Sequence, residues 1–207
     1  MKLTEEYFNK VVYNLSTAID SKGNNLDMVG LIVSQEETQY THYFREREKI
    51  DVRSIAKPIV CLAFGKAISE GLVFGNTKIT LDTKVGPLIS KFINIETASN
   101  RDAWNTITIR DCFKITLGHD KGSMFSKDVK EHDEDKLIEY VVNYPVTTNV
   151  GKDFVYSNAG TFVLSVLVSE YLGISLDEFV DKHIFKPMGI TDYIWKKFGK
   201  YCAGCTG

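Results

Sequence analysis

Ser54 and Lys57 stand three residues apart in Ser54-Ile55-Ala56-Lys57, and Lys57 is the only charged side chain between Ser54 and Gly65. On a helix, a three-residue spacing sets one side chain beside the other, so the amine faces the hydroxyl. Apolar surroundings disfavour a charged ammonium, and a lysine that sheds its proton beside a serine makes that serine a nucleophile. The same residues admit a plainer role, in which Ser54 caps a helix and the Lys57 amine snorkels to water. The second candidate is Tyr156-Ser157-Asn158, just before another apolar run. Residues two apart in an extended segment project to one side, so Tyr156 and Asn158 could share a cleft. A phenol beside a lysine relays protons, and an asparagine amide can orient both a lysine and a substrate amide. The plainer alternative makes Asn158 a helix N-cap and Tyr156 a core residue.

The elements that must position these residues follow from hydrophobic spacing. Thr4 followed by Tyr7, Phe8, Val11, Val12, Leu15 and Ile19 predicts an amphipathic helix ended by Gly23-Asn24-Asn25. Residues 28–34 and 39–44 predict two strands joined by a polar turn, with Tyr40, His42 and Phe44 on one face of the second. Residues 54–69 are apolar on nearly every side, which predicts a helix buried all round, with Pro58 tolerated near its first turn. Thr108-Ile109-Arg110-Asp111 predicts a capped short helix after an irregular stretch over 72–108. Residues 118–130 are polar and predict a surface loop. A helix over 133–143 stops at Pro145. A second apolar helix over 159–172 stops at Gly173. A capping box at Ser175–Glu178 opens a last helix, halted by Pro187.

The 207 residues are 43% hydrophobic, which supports a folded core and excludes disorder as the main state. A net charge of −2 gives no electrostatic case for nucleic acid. The longest apolar stretch, around residues 162–168, is far short of the ~20 residues of a membrane span. The first residues, Met1–Glu6, lack the apolar core of a signal peptide, and the four cysteines suit a reducing compartment, so the expected location is cytoplasmic.

Together, Ser54-Ile55-Ala56-Lys57 and Tyr156-Ser157-Asn158 resemble the first two motifs of the serine β-lactamase and penicillin-binding protein superfamily. The Tyr-x-Asn form is similar to the class C branch, which also holds esterases, D-amino-acid peptidases and amide hydrolases. Further segments resemble the family in order and spacing: Asp51–Lys57, Leu81–Val85, Ile107–Phe113 followed by Thr116-Leu117-Gly118, Phe154–Gly160 and Phe185–Asp192. The resemblance runs from about residue 28 to the end. It implies an α+β fold of the β-lactamase/transpeptidase type, an antiparallel sheet plus a mostly helical region. It also implies one domain, with the N-terminal helix and strands in 1–53 and the helical region in 54–207. The activity implied is that of a serine hydrolase or acyl-transferase acting on a β-lactam, a D-amino-acid peptide or a small ester. Ser54 would be the nucleophile, Lys57 and Tyr156 would share the general-base role, and Asn158 would bind substrate. The Ser54 N–H would supply one oxyanion donor.

The family's third motif, Lys-Thr-Gly or His-x-Gly on an edge strand, has no counterpart in the 207 residues. The C-terminal strands are therefore expected to be missing, as in a fragment or a naturally shortened protein. Such a chain would show weak or no hydrolysis, and would either self-associate through its unfinished sheet edge or be poorly stable alone. The alternative is an inactive, truncated protein serving as an interaction module. Cys202-x-x-Cys205 lacks the two further ligands of a structural zinc site, and His42, His119, His132 and His183 show no paired spacing. Cys112 reads as a buried inert thiol. No metal and no cofactor is expected; the expected partner is a small-molecule or peptide substrate.

Overall fold

The computed structural model describes residues 2–46 and 49–204, and the chain divides into two compact units, Met1–Ile50 and Asp51–Gly207.

In the first unit, the Thr4 hydroxyl accepts the Tyr7 N–H and opens helix α1, Glu5–Thr17, whose first turn carries Glu5 and Glu6 at the positive end of the helix dipole. The helix stops before Ile19, earlier than its apolar spacing suggests. The Asp20 carboxylate accepts the N–H groups of Lys22 and Asn24, and this local turn outcompetes a further helical turn. Strands β1, Gly30–Gln35, and β2, Thr38–Tyr43, form an antiparallel hairpin with Gly30 opposite Tyr43 and Gln35 opposite Thr38. Thr38, Tyr40 and His42 take the more buried face of β2, and Phe8 of α1 stacks on Tyr40.

The second unit begins with a 3-10 turn, Arg53–Ile55, that runs into helix α2, Ala56–Ser69. This helix is not buried all round, contrary to its composition. Val60, Ala63, Phe64 and Ala67 enter the core, but Leu62 is 59% exposed and Ile55 is exposed as well. In this unit it packs against the helices α8 and α9 described below. A short hairpin follows, β3 (Val73–Phe74) with β4 (Thr77–Lys78), then helices α3 (Gly86–Ile89), α4 (Ala98–Trp104) and α5 (Ile109–Lys114). At the start of α5 the Thr108 hydroxyl and the Asp111 carboxylate each take the other's backbone N–H, a complete capping box.

The stretch 118–130 is not a polar surface loop. His119, Ser123 and Met124 are buried, and residues from Ser126 form helix α6, Ser126–Glu131. Helix α7, Leu137–Asn143, follows a 3-10 turn over Glu134–Lys136. Helix α8, Ala159–Leu172, is the centre of the unit: every residue from Ala159 to Val168 is buried, as an element without a polar side requires. It packs against α2, α5, α7 and helix α9, Leu176–Val180, and against strand β6 of the terminal hairpin, β5 (Lys197–Phe198) and β6 (Tyr201–Cys202). Gly173 at φ +67 ends α8, and the chain after α9 continues as a π turn and a 3-10 turn to Met188. No single helix among the described residues is long and apolar enough to cross a membrane.

Candidate active site

Ser54 sits in the turn that enters α2, directly after a strained residue. Arg53 has φ +53, a conformation costing a non-glycine residue about 1–2 kcal/mol. Asp51 holds it there: one carboxylate oxygen accepts the Arg53 N–H at 2.8 Å and the other meets its Nε at 3.2 Å. Lys57 lies one turn on, in the first turn of α2, and is only 7% exposed.

Its amine is fully engaged. Nζ donates to Ser54 Oγ at 2.9 Å, to the Tyr156 hydroxyl at 3.1 Å and to Asn158 Oδ1 at 2.6 Å. Three acceptors match the three N–H bonds of an ammonium, and none of them is a carboxylate. The amine also lies 5.0 Å from the Tyr156 ring centre. Ser54 Oγ and the Tyr156 hydroxyl are hydrogen-bonded directly, across 102 residues of sequence. The four residues singled out by spacing therefore meet at one point. The plainer readings do not hold for Lys57 or Tyr156, whereas Asn158 does occupy the N-cap position of α8. The Lys57 amine is not in open water. Tyr156 is not in the core. At that position the Asn158 side chain makes no capping bond; it is engaged by Lys57 instead, and the Ser157 hydroxyl takes the Ala159 N–H.

Tyr156-Ser157-Asn158 is fixed from behind by the segment before α6. The Asn158 N–H donates to the Ser123 carbonyl at 3.0 Å, and Nδ2 donates to the Met124 carbonyl at 2.8 Å. The Asn158 side chain thus spans the site, with its oxygen on Lys57 and its nitrogen on backbone. Met124 adopts φ +62, a second strained residue whose carbonyl is turned to meet the amide. The Ser157 hydroxyl bonds the Ser123 carbonyl and hydroxyl, both at 3.2 Å. His119 Nδ1 lies 3.5 Å from the Ser123 hydroxyl, while Nε2 is buried with no partner among the described residues. Burial pushes this imidazole down to about 4, against a small opposing pull from Asp120. Gly122 has room for no side chain, since a Cβ there would strike the Tyr156 carbonyl and the Phe125 ring.

His119, Ser123, Met124 and Phe125 are absent from the residues that sequence spacing selects. Their one signal is a Met-Phe pair and a histidine between Gly118 and Gly122 in an otherwise polar stretch. Cys112 is fully buried, and burial pushes its thiol up, as expected of an inert one. Cys202 is buried, whereas Cys205 lies outside the described residues. Among the described residues no group of three His, Cys, Asp or Glu side chains could hold a metal ion.

The Beta-lactamase family profile matches residues 18–198. This chain belongs to the beta-lactamase family. Solved structures share its fold. The octameric penicillin-binding protein homologue from Pyrococcus abyssi aligns with a TM-score of 0.66 at 15% identity, over 94% of this chain and 45% of that one. A class C beta-lactamase aligns with a TM-score of 0.65 at 17% identity, over 89% and 48%. A D-stereospecific amidohydrolase from Streptomyces sp. aligns with a TM-score of 0.59 at 18% identity, over 79% and 50%. The fold is thus the α+β fold of the beta-lactamase and penicillin-binding protein superfamily. The chain spans about half the length of these structural neighbours.

Proposed function

We propose that Ser54, Lys57, Tyr156 and Asn158 are the acylation site of a serine hydrolase acting on an ester or amide. The observation that carries this reading is the triple engagement of the Lys57 amine by Ser54, Tyr156 and Asn158. A buried lysine held only for stability would be matched by a carboxylate or replaced by an apolar residue. Here it is held by the hydroxyl that would attack and the phenol that would relay the proton.

In the first step the Ser54 Oγ–carbon bond forms at the substrate carbonyl. The serine proton passes to the Tyr156–Lys57 pair. The bond from carbonyl carbon to the leaving oxygen or nitrogen then breaks, and that atom takes the proton from Tyr156. In the second step water attacks the acyl carbon, gives its proton to the same pair, and Ser54 leaves with a proton restored. Asn158 fixes Lys57 throughout. The Ser54 N–H, in the turn that enters α2, would donate to the developing oxyanion. The membership in the family and the fold shared with a D-stereospecific amidohydrolase support hydrolysis rather than binding alone. Ester, D-peptide and β-lactam substrates all fit this chemistry.

Turnover of a p-nitrophenyl ester tests the reading. K57M and Y156F should each lower kcat/KM by about 10²–10⁴, the usual worth of a positioned proton-transfer group, with unchanged circular dichroism. Turnover that survives both substitutions, or none in the native chain, contradicts it and leaves a non-catalytic member of the family.

A further inference from the structure

Three buried polar side chains stand in a row behind Tyr156-Ser157-Asn158. His119 is 1% exposed, Ser123 0% and Ser157 2%, and polar groups so placed need hydrogen-bond partners. His119 Nδ1 lies 3.5 Å from Ser123 Oγ, and Ser123 Oγ lies 3.2 Å from Ser157 Oγ. The Ser157 hydroxyl also meets the Ser123 carbonyl at 3.2 Å and the Ala159 N–H at 3.0 Å.

Counting protons gives this row a direction. Burial keeps the imidazole neutral, so the ring carries one N–H, and each hydroxyl carries one proton. A carbonyl cannot donate, so Ser157 gives its proton to the Ser123 carbonyl. The Ser157 oxygen is left to accept, and it takes the Ala159 N–H and the Ser123 hydroxyl. Ser123 has then spent its proton, so Nδ1 brings the hydrogen of the first contact. The ring is the Nδ1–H tautomer. The other nitrogen agrees, since Nε2 is buried with no partner among the described residues, where a bare lone pair is better tolerated than an orphaned N–H.

The row ends on the backbone that holds the site. The Ser123 carbonyl that takes the Ser157 proton also accepts the Asn158 N–H at 3.0 Å. The next carbonyl, that of Met124, takes Asn158 Nδ2 at 2.8 Å, which leaves Oδ1 for Lys57. Were Nδ1 an acceptor, every proton in the row would reverse. Ser123 would donate to the ring, Ser157 would donate to Ser123 Oγ, and the carbonyl would lose its Ser157 bond. The imidazole is held on another side by Tyr144, whose ring centre lies 5.0 Å away, and the His119 carbonyl accepts the Thr148 hydroxyl. Resting on the proposed hydrolase reading, we infer that His119 is a positioning residue, whose Nδ1–H directs the Ser123–Ser157 hydroxyl chain and so fixes the segment carrying Tyr156 and Asn158. It acts through that chain and touches no reacting atom.

Two measurements on the full chain test this. Nitrogen NMR with isotope-labelled histidine, the His119 signals assigned by their loss in H119N, should show Nδ1 protonated and Nε2 bare at neutral pH. Labelling of Ser54 by an alkyl fluorophosphonate, followed by intact mass, reads the site itself. There the Ser54 Oγ–phosphorus bond forms, the phosphorus–fluorine bond breaks, fluoride leaves, and the serine proton passes through the Lys57–Tyr156 pair to water. H119L, which has no donor, should label roughly tenfold more slowly, the effect of slightly misplaced reacting groups. H119N, whose Nδ2 can stand where Nδ1 stood, should label close to the native rate. In an S123A background the chain is already cut, so H119L should cost little more. Rates are compared well below each variant's melting temperature, so that lost stability alone does not slow labelling. Native-rate labelling of H119L overturns the role, as do H119N as slow as H119L, an undiminished loss in the S123A background, or a ring protonated at Nε2. Each of these leaves the hydrolase reading standing. A native chain that takes no adduct overturns both. If H119L does not fold, the ring spectrum and the H119N rate decide: Nδ1–H with near-native labelling supports the role, and either one failing overturns it.

Discussion

Lys57 and His119 are buried titratable groups with opposite fates. The Lys57 amine donates to three oxygens of the site, those of Ser54, Tyr156 and Asn158. His119 has one ring nitrogen near Ser123 and one without a partner among the described residues, and burial keeps it neutral. That neutrality has a consequence in pH. In the unfolded chain the imidazole takes a proton near 6.5, and in the folded chain only near about 4. Between those values the unfolded state binds more protons, so stability falls as pH falls. The contribution is complete above about 6.5 and is lost progressively down to about 4, by about 3 kcal/mol in all. Thermal melts at pH 7 and pH 5 should show a drop in the native protein that H119Q reduces. An equal drop in both would mean that His119 is not the group that titrates. Neither Ser123 nor His119 was legible in the sequence as part of the site, because a polar composition over 118–130 gives no hint that its backbone carbonyls face Asn158. Ser54 and Lys57 were legible because their spacing is local to one helical turn.

At the scale of elements, the site depends on the close approach of α5 and α8. Gly160 lies two residues after Asn158, and a Cβ there would fall 2.6 Å from the Cys112 carbonyl of α5. That contact sets the depth of the α8 N-terminus, and with it the position of Tyr156 and Asn158. G160A should therefore destabilise the fold by about 1–3 kcal/mol, the cost of overpacking a core contact, read as a lower urea midpoint. A midpoint unchanged from the native one would show that the two helices adjust freely. Apolar patterning predicted α8 to the residue, since a stretch apolar on all sides can only lie in a core. The same pattern misled for α2, where Leu62 is exposed. Periodicity reports how much of a helix is apolar, not how many neighbours arrive to cover it. The early stop of α1 has a comparable cause, because the turn made by Asp20 is a local hydrogen-bond preference that hydrophobic spacing does not register.

At the scale of the molecule, the unit Asp51–Gly207 gathers residues about a hundred positions apart into one cluster, around a helix with no polar side. The order of motifs along the chain made this convergence legible as a family resemblance before any geometry was known. Its distances were not legible, nor was the strain at Arg53 and Met124 that flanks it. The central claim is that Ser54 is a nucleophile activated by Lys57 and Tyr156. Treating the native chain with a simple alkyl fluorophosphonate and weighing it intact measures that claim most directly. The claim predicts a single adduct, mapped by peptide mass to Ser54, absent in S54A and formed at least about 10²-fold more slowly in K57M. No adduct on the native folded protein, or one that K57M forms just as fast, would contradict it.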